Sequence, residues 1–286
     1  MKVLQPQTLL NDVIFKLQKN FSRAESESIA YILMEEVLNL NRTTLLINEF
    51  LQVSDQALSH LDQSVDRICF NEPVQHVTGN AYFYGRTFKV DETVLIPRPE
   101  TEELIQLILA EHNRKAALKI LDVGTGSGCI ATSLSLELTE AVVYAIDISS
   151  EAIATARKNA QMHRADIHFI VLDILKETPA ICDLDILVSN PPYIMEKEKP
   201  MMMSNVLDFE PHKALFVSND DPLLFYDIIL KHGQLLLKPG GMVYFEINEN
   251  LGSEMCSLCE HQGYANVRLI KDIHQKDRIV SCTKPG

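Results

Sequence analysis

Apolar residues in the first part of the chain recur at intervals of three and four positions. The recurrence covers residues 9–17, 30–40 and 45–51, and in each segment it places the apolar side chains on one face of a helix. Strand-like alternation is absent from this part of the chain, and no glycine occurs between residues 1 and 78. The pattern predicts a small all-helical domain over residues 1–75.

A shorter segment with a different pattern follows. Apolar and polar residues alternate on both sides of Gly85-Arg86, and prolines and glycines punctuate the surrounding chain. The alternating apolar residues are Tyr82, Tyr84, Phe88 and Val90. Alternation around a glycine predicts a β-hairpin. We interpret residues 76–98 as a hairpin linker between two domains.

From residue 99 onward, short apolar runs alternate with amphipathic segments. The predicted strands cover residues 117–124, 141–147, 167–173, 183–190, 238–247, 265–272 and 277–282. The predicted helices cover residues 102–112, 127–138, 149–163 and 221–237. Ser149 is the expected N-cap of the third helix, and Asp221-Pro222 the expected start of the fourth. This order predicts an α/β domain over residues 99–286, with a doubly wound, mostly parallel, Rossmann-like sheet whose last two strands form an antiparallel edge.

Composition and charge narrow the classes of partner. The chain has 286 residues, of which 46% are hydrophobic and 23% charged, as in a soluble protein of about two domains. Lys and Arg number 26 and Asp and Glu 39, so the net charge is −13. Residues 1–75 contain 6 basic and 10 acidic residues, so their charge is −4. Because phosphate binding depends on Lys and Arg, we expect no direct nucleic-acid partner.

Membrane insertion and export are not expected from the sequence. No apolar run reaches the roughly 18 residues that a membrane helix needs, and the N-terminus lacks the apolar core of a signal peptide. We therefore expect a cytoplasmic protein with reduced cysteines and no membrane partner. Cys256 and Cys259 form a C-x-x-C pair, but no second Cys or His pair follows at similar spacing. We expect two positions on a late helix and no metal; a zinc or redox site is the alternative.

A glycine-rich loop follows the first strand of the α/β domain. Gly124-Thr125-Gly126-Ser127-Gly128 lies between a predicted strand and a predicted helix. Ligands of open α/β sheets bind beyond the carboxyl ends of the strands, and glycines permit a tight turn and a close approach to a ligand. The spacing differs from the dinucleotide motif G-x-G-x-x-G. No Lys-Ser or Lys-Thr follows, which excludes a phosphate-binding P-loop.

Two acidic residues end the next two predicted strands. Asp147 can accept hydrogen bonds from both hydroxyl groups of a ribose, because a carboxylate offers two acceptor oxygens. Asp173 can accept a hydrogen bond from the amino group of an adenine. Taken singly, each residue is better explained as a solvated strand end. With the glycine loop they predict a nucleoside-bearing ligand, which leaves a nicotinamide cofactor and S-adenosylmethionine both open.

The sharpest chemical signal is Asn190-Pro191-Pro192-Tyr193 at the end of the fourth predicted strand. A rigid turn after a strand is the simpler structural interpretation, since proline fixes φ and cannot donate to a ladder. The same rigidity holds carbonyl groups outside any ladder. Asn190 and Pro191 then offer two acceptors and Tyr193 a flat ring. This combination suits a planar NH2 group.

Together these motifs resemble the S-adenosylmethionine-dependent methyltransferases that act on exocyclic or amide nitrogens. Within that group, three segments resemble the HemK/PrmC family, the N5-glutamine methyltransferases of peptide chain release factors. They are Leu-Ile-Pro-Arg-Pro-Glu-Thr-Glu at residues 95–102, Pro73-x-Gln75-x-x-x-Gly79, and residues 271–278. The resemblance covers nearly the whole chain. It implies S-adenosylmethionine as cofactor and a release factor as protein substrate. We expect the helical domain to supply the docking surface for that substrate.

The resemblance also implies a role for each site residue. Residues 124–128 would hold the methionine part and ribose of the cofactor, Asp147 the ribose hydroxyls, and Asp173 and Ile174 the adenine. Asn190, Pro191, Pro192 and Tyr193 would bind the substrate amide, with Asn190, Pro191 and Tyr193 as catalytic residues and Asn190 also beside the cofactor. Arg98 and Glu100 would order the domain junction or form an ion pair at a helix start.

Two positions depart from the family pattern. Asn248 follows Glu246-Ile247 where the family commonly has glycine, and Ile174 stands where many members place an aromatic residue.

Two other functions are compatible with the same motifs. An adenine-N6 methyltransferase acting on RNA or DNA also binds a planar NH2 group, although the net charge disfavours it. A binding module without activity is the other alternative, because fold does not determine function. No coiled coil or long apolar stripe predicts a dimer, so we expect a monomer.

Overall fold

The computed structural model describes residues 1–47, 50–112 and 117–286. These residues form two compact units. The first comprises Met1–Asn80 and the short segment Met203–Phe209, and the second comprises Ala81–Met202 and Glu210–Gly286. None of the helices in the described ranges combines the length and the apolar character that crossing a bilayer requires.

The elements follow one another along the chain in this order. Up to residue 112 they are β1 Lys2–Leu4, α1 Pro6–Leu17, α2 Arg23–Leu38, α3 Arg42–Leu46, β2 Leu51–Val53, α4 Asp55–Cys69, α5 Val74–Thr78, β3 Asn80–Phe83, β4 Arg86–Lys89 and α6 Pro99–His112. Up to residue 201 they are β5 Lys119–Val123, α7 Cys129–Glu137, β6 Val142–Asp147, α8 Ser150–His163, β7 Ile167–Val171, β8 Leu184–Ser189, β9 Ile194–Met195 and a 3₁₀ helix Glu196–Met201. The rest are α9 Ser204–Phe209, α10 His212–Leu215, β10 Phe216–Val217, α11 Leu224–Leu236, β11 Leu237–Glu246, α12 Gly252–His261, β12 Ala265–Lys271 and β13 Asp277–Thr283.

The first unit is mainly helical, as the apolar spacing predicts. Its core is formed by one face each of α1, α2 and α4, with Leu10, Leu17, Leu33, Met34, Leu61 and Ile68 among the buried residues. The expectation that this part of the chain contains no strand is wrong, because β1 pairs antiparallel with β2. A three-residue strand is too short to show alternation. Residues 48 and 49 of the predicted segment 45–51 lie outside the described residues.

The predicted hairpin is present as β3 and β4. Its two turn residues, Tyr84 and Gly85, both have positive φ, 47° and 74°, as the tight type I′ turn of a two-residue hairpin requires. The predicted phase is confirmed in the second strand, where Phe88 and Val90 are buried, and wrong in the first. Phe83 and Phe88 are the buried aromatic residues, whereas Tyr82 is 73% exposed. The turn lies one residue earlier than Gly85-Arg86, which exchanges the two faces of the first strand.

The second unit is built on a seven-stranded sheet with the order β12-β13-β11-β8-β5-β6-β7. The five strands from β11 to β7 are parallel, and β13 runs antiparallel to β11 and to β12. This is the predicted doubly wound, mostly parallel sheet with an antiparallel edge. Leu121 and Val123 pack with α11 and α12 in one apolar layer, and Ile120 packs with α6 and α7 in the other. Successive β5 side chains therefore face opposite layers.

Of the two helix starts predicted from capping residues, that of α8 is confirmed and that of α11 is not. The Ser149 hydroxyl caps α8 as predicted, accepting from the Ala152 amide at 3.1 Å. The predicted start of the fourth helix at Asp221-Pro222 is wrong, because α11 begins at Leu224. The Asp221 carbonyl instead closes a turn with the Leu224 amide. Cys256 and Cys259 lie on α12, and the Cys259 side chain is buried.

Candidate functional site

The register of the parallel strands brings the predicted site segments to one edge of the sheet. Val123 of β5 lies opposite Ile146 of β6 and opposite Ser189 of β8. The residues that follow these three positions are the glycine loop, Asp147 and Asn190. They are therefore neighbours at the carboxyl edge, where open α/β sheets bind ligands.

A fourth segment joins this edge from β11. Phe245 lies opposite Ser189, so Glu246 comes directly beside Asn190. Glu246 is buried, with 1% of its surface exposed. Its role could not be predicted from the sequence, because one acid at the end of an apolar strand has no distinctive spacing.

The glycine loop turns sharply because three of its residues adopt left-handed backbone conformations. Gly124, Gly126 and Gly128 have φ values of 73°, 53° and 78°. A Cβ placed on Gly124 or Gly126 would meet nothing within 4 Å, whereas one on Gly128 would lie 2.9 Å from the Ala156 Cβ. The first two glycines therefore leave open space at the edge, and the third permits close packing of α7 against α8.

Hydrogen bonds fix the loop to the neighbouring strand. The amides of Gly124 and Thr125 both donate to the Ile146 carbonyl, at 2.9 and 3.0 Å. The Gly126 amide donates to Asp147 Oδ2 at 2.9 Å. The Ser127 side chain is buried, and its carbonyl accepts from Asn159 Nδ2 at 2.9 Å. The loop therefore presents backbone, rather than these side chains, to the open space.

The carboxylate of Asp147 can still accept hydrogen bonds from a ligand. One carboxylate oxygen accepts from Gly126 and the other from the Ser149 amide at 2.9 Å. Each carboxylate oxygen has a second lone pair, so both can accept a further hydroxyl. Burial raises the pKa of Asp147, while backbone amides, including those of Ser149 and Gly126, act in the opposite direction.

The residues predicted to meet an adenine lie just after β7. Asp173 pairs with Lys176 at 2.8 Å, and this pair lowers the pKa of Asp173. The Ile174 side chain is 9% exposed and belongs to the apolar layer under the sheet. Ile148, the residue after Asp147, is instead 57% exposed. It is a second apolar candidate that sequence reasoning missed, because the sequence does not show which side chain faces outward.

Asp122 is a further acid that sequence reasoning missed. It occupies an inward position of β5 just before the loop and is fully buried. The Thr125 hydroxyl donates to its Oδ2 at 2.6 Å. Burial raises the pKa of Asp122 to about 7. The spacing Asp122-x-Gly124 was available in the sequence, although nothing there distinguished it from a strand residue.

Asn190 is held by a chain of polar contacts. Its Nδ2 donates to Thr101 Oγ1 at 3.3 Å, and Thr101 Oγ1 donates to Glu246 Oε2 at 2.6 Å. The Tyr193 hydroxyl donates to Glu246 Oε1 at 3.1 Å. Burial raises the pKa of Glu246, while the two hydroxyl donors and Arg278 act against that rise.

The segment from Asn190 to Tyr193 lies between β8 and β9 and belongs to neither strand. Burial, reinforced by Glu246, raises the pKa of Tyr193, so its hydroxyl stays protonated and remains a donor. Asn248 Nδ2 donates to the Tyr193 carbonyl at 3.2 Å and to Glu198 Oε2 at 3.1 Å. The Asn248 side chain therefore stabilises this segment.

The start of α6 carries an ion pair with an unexpected partner. Arg98 pairs with Glu210 at 2.6 Å, and the Glu210 side chain is 1% exposed. Glu210 also accepts from the Ile96 amide at 3.2 Å. The pair therefore joins the segment before α6 to residue 210, and its acid is Glu210 rather than Glu100.

Comparison with known proteins agrees with this architecture. Residues 101–211 match the family described as methyltransferase small domain, and residues 8–79 match the PrmC N-terminal domain. A release factor glutamine methyltransferase of Flavobacterium psychrophilum is 43% identical over 263 residues, 91% of this chain and 92% of that protein. One from Bacteroides thetaiotaomicron is 42% identical over 269 residues, 94% and 96% of the two chains.

A solved structure shares the fold. The crystal structure of a methyltransferase from Pyrococcus furiosus matches 79% of this chain and 100% of its own, with a TM-score of 0.55 and 17% identity.

Proposed function

The chain belongs to the family of release factor glutamine methyltransferases, and we propose that it transfers a methyl group from S-adenosylmethionine to the side-chain amide nitrogen (N5) of a glutamine in a peptide chain release factor. One observation carries the proposal from the structure. Asn190, with its amide held by a buried network, lies at the same sheet edge as an open glycine loop and Asp147.

The residues at this edge fit the cofactor. Gly124 and Gly126 leave space that any side chain would fill, and Asp147 has free lone pairs for two ribose hydroxyls. In the proposal, residues 124–128 hold the methionine part and the ribose, and Asp173 and Ile174 flank the adenine. When bound, S-adenosylmethionine supplies a methyl group already activated by its sulfonium charge.

The protein's own contribution is to position a poor nucleophile. The lone pair of an amide nitrogen is delocalised into its carbonyl, so orientation matters more than acid or base strength. Asn190 Oδ1 and the Pro191 carbonyl each accept one N–H of the glutamine amide, while Pro192 and the Tyr193 ring border its plane. Fixing reactants in this way can supply roughly 7–11 kcal/mol of the barrier.

The same acceptors assist during the reaction. Positive charge would develop on the nitrogen as the new N–C bond forms and the methyl–sulfur bond of the cofactor breaks, with the sulfur leaving as a neutral thioether that keeps the bonding electrons. Two nearby oxygen dipoles stabilise the charge on the nitrogen. The nitrogen then loses one proton to water, which leaves a neutral N5-methyl amide. This sequence requires no side chain to act as a strong base.

The rest of the chain supports a protein partner. We propose that residues 1–75 form the substrate-docking domain, with residues 76–98 as the connecting hairpin and residues 99–286 as the methyltransferase domain. The net charge of −13 favours a basic protein over direct binding to nucleic acid. We further propose a monomer that acts in the cytoplasm.

The decisive experiment is incubation with a labelled methyl donor and a purified release factor, followed by peptide mapping. Label on a glutamine side chain is expected.

Asn190→Ala should lower kcat about 100-fold, which corresponds to a rise of about 2.7 kcal/mol in the activation free energy, while the cofactor Kd stays within threefold of the wild-type value. Gln161→Ala, an amide on the exposed surface of α8, is the matched control. In a parallel incubation with ribosomal RNA or DNA, label on the nucleic acid and none on the release factor would replace the proposal with adenine methylation. Cofactor binding without transfer to any of them would indicate a binding module.

A further inference from the structure

We propose that Glu246 and Thr101 are positioning residues that fix which end of the Asn190 amide faces the substrate. Their contacts keep the amide nitrogen of Asn190 turned inward and its oxygen turned toward the incoming glutamine. The inference rests on the proposed function, because it concerns the same amide-binding corner.

With Glu246 ionised, the donors and acceptors of this network allow one arrangement. A carboxylate accepts hydrogen bonds and donates none. The two oxygens of Glu246 are occupied by two hydroxyl donors, Thr101 at 2.6 Å and Tyr193 at 3.1 Å. The Thr101 hydroxyl has a single proton, and that proton is used by Glu246. Toward Asn190, Thr101 can therefore only accept.

The direction of these hydrogen bonds determines which end of the Asn190 amide faces the substrate. An asparagine amide has one accepting end and one donating end. Because Thr101 accepts, the donating Nδ2 must face it, as the contact of 3.3 Å shows. Oδ1 then points away from Thr101. A glutamine amide that presents N–H groups meets an acceptor, whereas a reversed Asn190 would present a second NH2 group.

The position of the network suits this role. Thr101 is 2% exposed and Glu246 1%, so solvent does not compete for their hydrogen bonds. Thr101 lies in the first turn of α6 and Glu246 at the end of β11, two elements fixed by the apolar layers. Buried polar groups whose partners are all present are well suited to hold one side-chain orientation.

The first test replaces each member while conserving its shape. In Glu246→Gln, the Tyr193 hydroxyl keeps its acceptor only if the new amide accepts from Tyr193 and donates to Thr101. In that orientation the Thr101 hydroxyl turns toward Asn190 and reverses it. We expect kcat to fall at least 30-fold, with the cofactor Kd and the KM for the release factor within threefold. Thr101→Val should likewise lower kcat while leaving the cofactor Kd and the KM nearly unchanged. Thr101→Ser, which keeps a hydroxyl, should retain at least a third of the wild-type kcat.

Matched controls separate this effect from general destabilisation. Thr155→Val alters another buried threonine whose hydroxyl faces a carboxylate, that of Asp91 at 3.4 Å. Glu111→Gln alters a carboxylate that accepts from Tyr244 near the other end of α6. Both should leave kcat within twofold. A kcat for Glu246→Gln within threefold of wild type would overturn the inference.

A reversal experiment tests the direction of the hydrogen bonds. Asn190→Asp alone places two carboxylates around one Thr101 hydroxyl and should abolish transfer. Combined with Glu246→Gln, the aspartate accepts from Thr101 with one oxygen and from the substrate with the other. We expect the double variant to be at least tenfold more active than Glu246→Gln alone. A double variant no more active than either single one would contradict the assignment.

A measurement without turnover distinguishes failure of this inference from failure of the proposed function. The side-chain amide protons of Asn190, assigned by their loss in Asn190→Asp, should shift in the NMR spectra of Thr101→Val and Glu246→Gln but not of Thr155→Val. Unchanged signals would refute the network even in an active enzyme. If the signals shift in these variants but the wild-type enzyme does not methylate a release factor, only the proposed function is refuted.

Discussion

Asp122 is an acid whose burial affects the stability of the whole second unit. Its pKa is raised from 3.8 to about 7 because the side chain has no access to water. Between these pH values the folded protein binds a proton that the unfolded chain has released. The free energy of unfolding therefore falls as the pH rises through this window.

Asp122→Asn should remove this part of the pH dependence. The slope for the wild type between pH 5 and pH 6 should be steeper than that of the variant by up to about 1.4 kcal/mol per pH unit. Urea unfolding of both proteins at half-unit pH intervals measures the difference. Parallel curves would mean that Asp122 titrates in the folded protein near its ordinary value.

Alanine at Gly126 is expected to have two separate effects, one on stability through the left-handed backbone and one on cofactor binding through the side chain it adds. Gly126 and Gly240 both have positive φ, 53° and 79°, and a Cβ on either would meet nothing within 4 Å. Alanine at each position should therefore cost a similar 1–2 kcal/mol of stability from the left-handed backbone. Only Gly126 lies at the proposed cofactor site, so only Gly126→Ala should weaken cofactor binding, by tenfold or more in calorimetry. Equal cofactor affinities for the two variants would place the cofactor elsewhere.

At the scale of single residues, the sequence predicts what depends on spacing and misses what depends on burial. The glycine loop, Asp147 and Asn190 each follow a recognisable strand, so their meeting at one edge could be expected. Glu246 and Thr101 could not, because their importance comes from a contact between residues 145 positions apart in the chain.

At the scale of elements, Asn159 joins the hairpin to the glycine loop. Its Oδ1 accepts from the Lys89 amide at 2.7 Å, and its Nδ2 donates to the carbonyls of Lys89 and Ser127, both at 2.9 Å. The side chain is fully buried. One residue of α8 therefore fixes both β4 and the loop that precedes α7.

Asn159→Asp should remove the two hydrogen bonds that Nδ2 donates, while the side chain keeps nearly the same shape. The new oxygen would face two carbonyl oxygens in a buried place, so we expect a loss of about 3–5 kcal/mol in the free energy of unfolding. Asn20→Asp is the control, because Asn20 makes a similar bond to the Cys69 carbonyl at an exposed position. Urea unfolding midpoints that shift equally for both variants would show that burial of Asn159 contributes nothing.

Element boundaries show why part of the fold escapes sequence reasoning. The order of the seven sheet strands and of the helices α6, α7, α8 and α11 could be predicted, since long apolar runs determine it. The start of α11 could not, because Asp221-Pro222 suits a turn as well as a cap. The two-residue strands β9 and β10 pair with each other across about 20 intervening residues and leave no local pattern.

At the scale of the molecule, the excess of acidic residues is the property that the sequence gives most directly. The net charge of −13 has no bearing on the strand order, but it creates a long-range field around the protein. A release factor works against ribosomal RNA, so a basic surface is expected on it. Opposite net charges accelerate the encounter of two proteins and lose this effect as salt screens them.

The value of kcat/KM for the release factor should therefore fall about tenfold between 50 and 500 mM KCl, while kcat at saturation changes less than twofold. A short glutamine peptide without basic residues serves as the control substrate, because its kcat/KM should stay nearly constant over the same range. If both substrates respond equally, salt acts on the active site rather than on the encounter. If neither responds, attraction between the two surfaces makes no contribution, and recognition must come from short-range contacts alone.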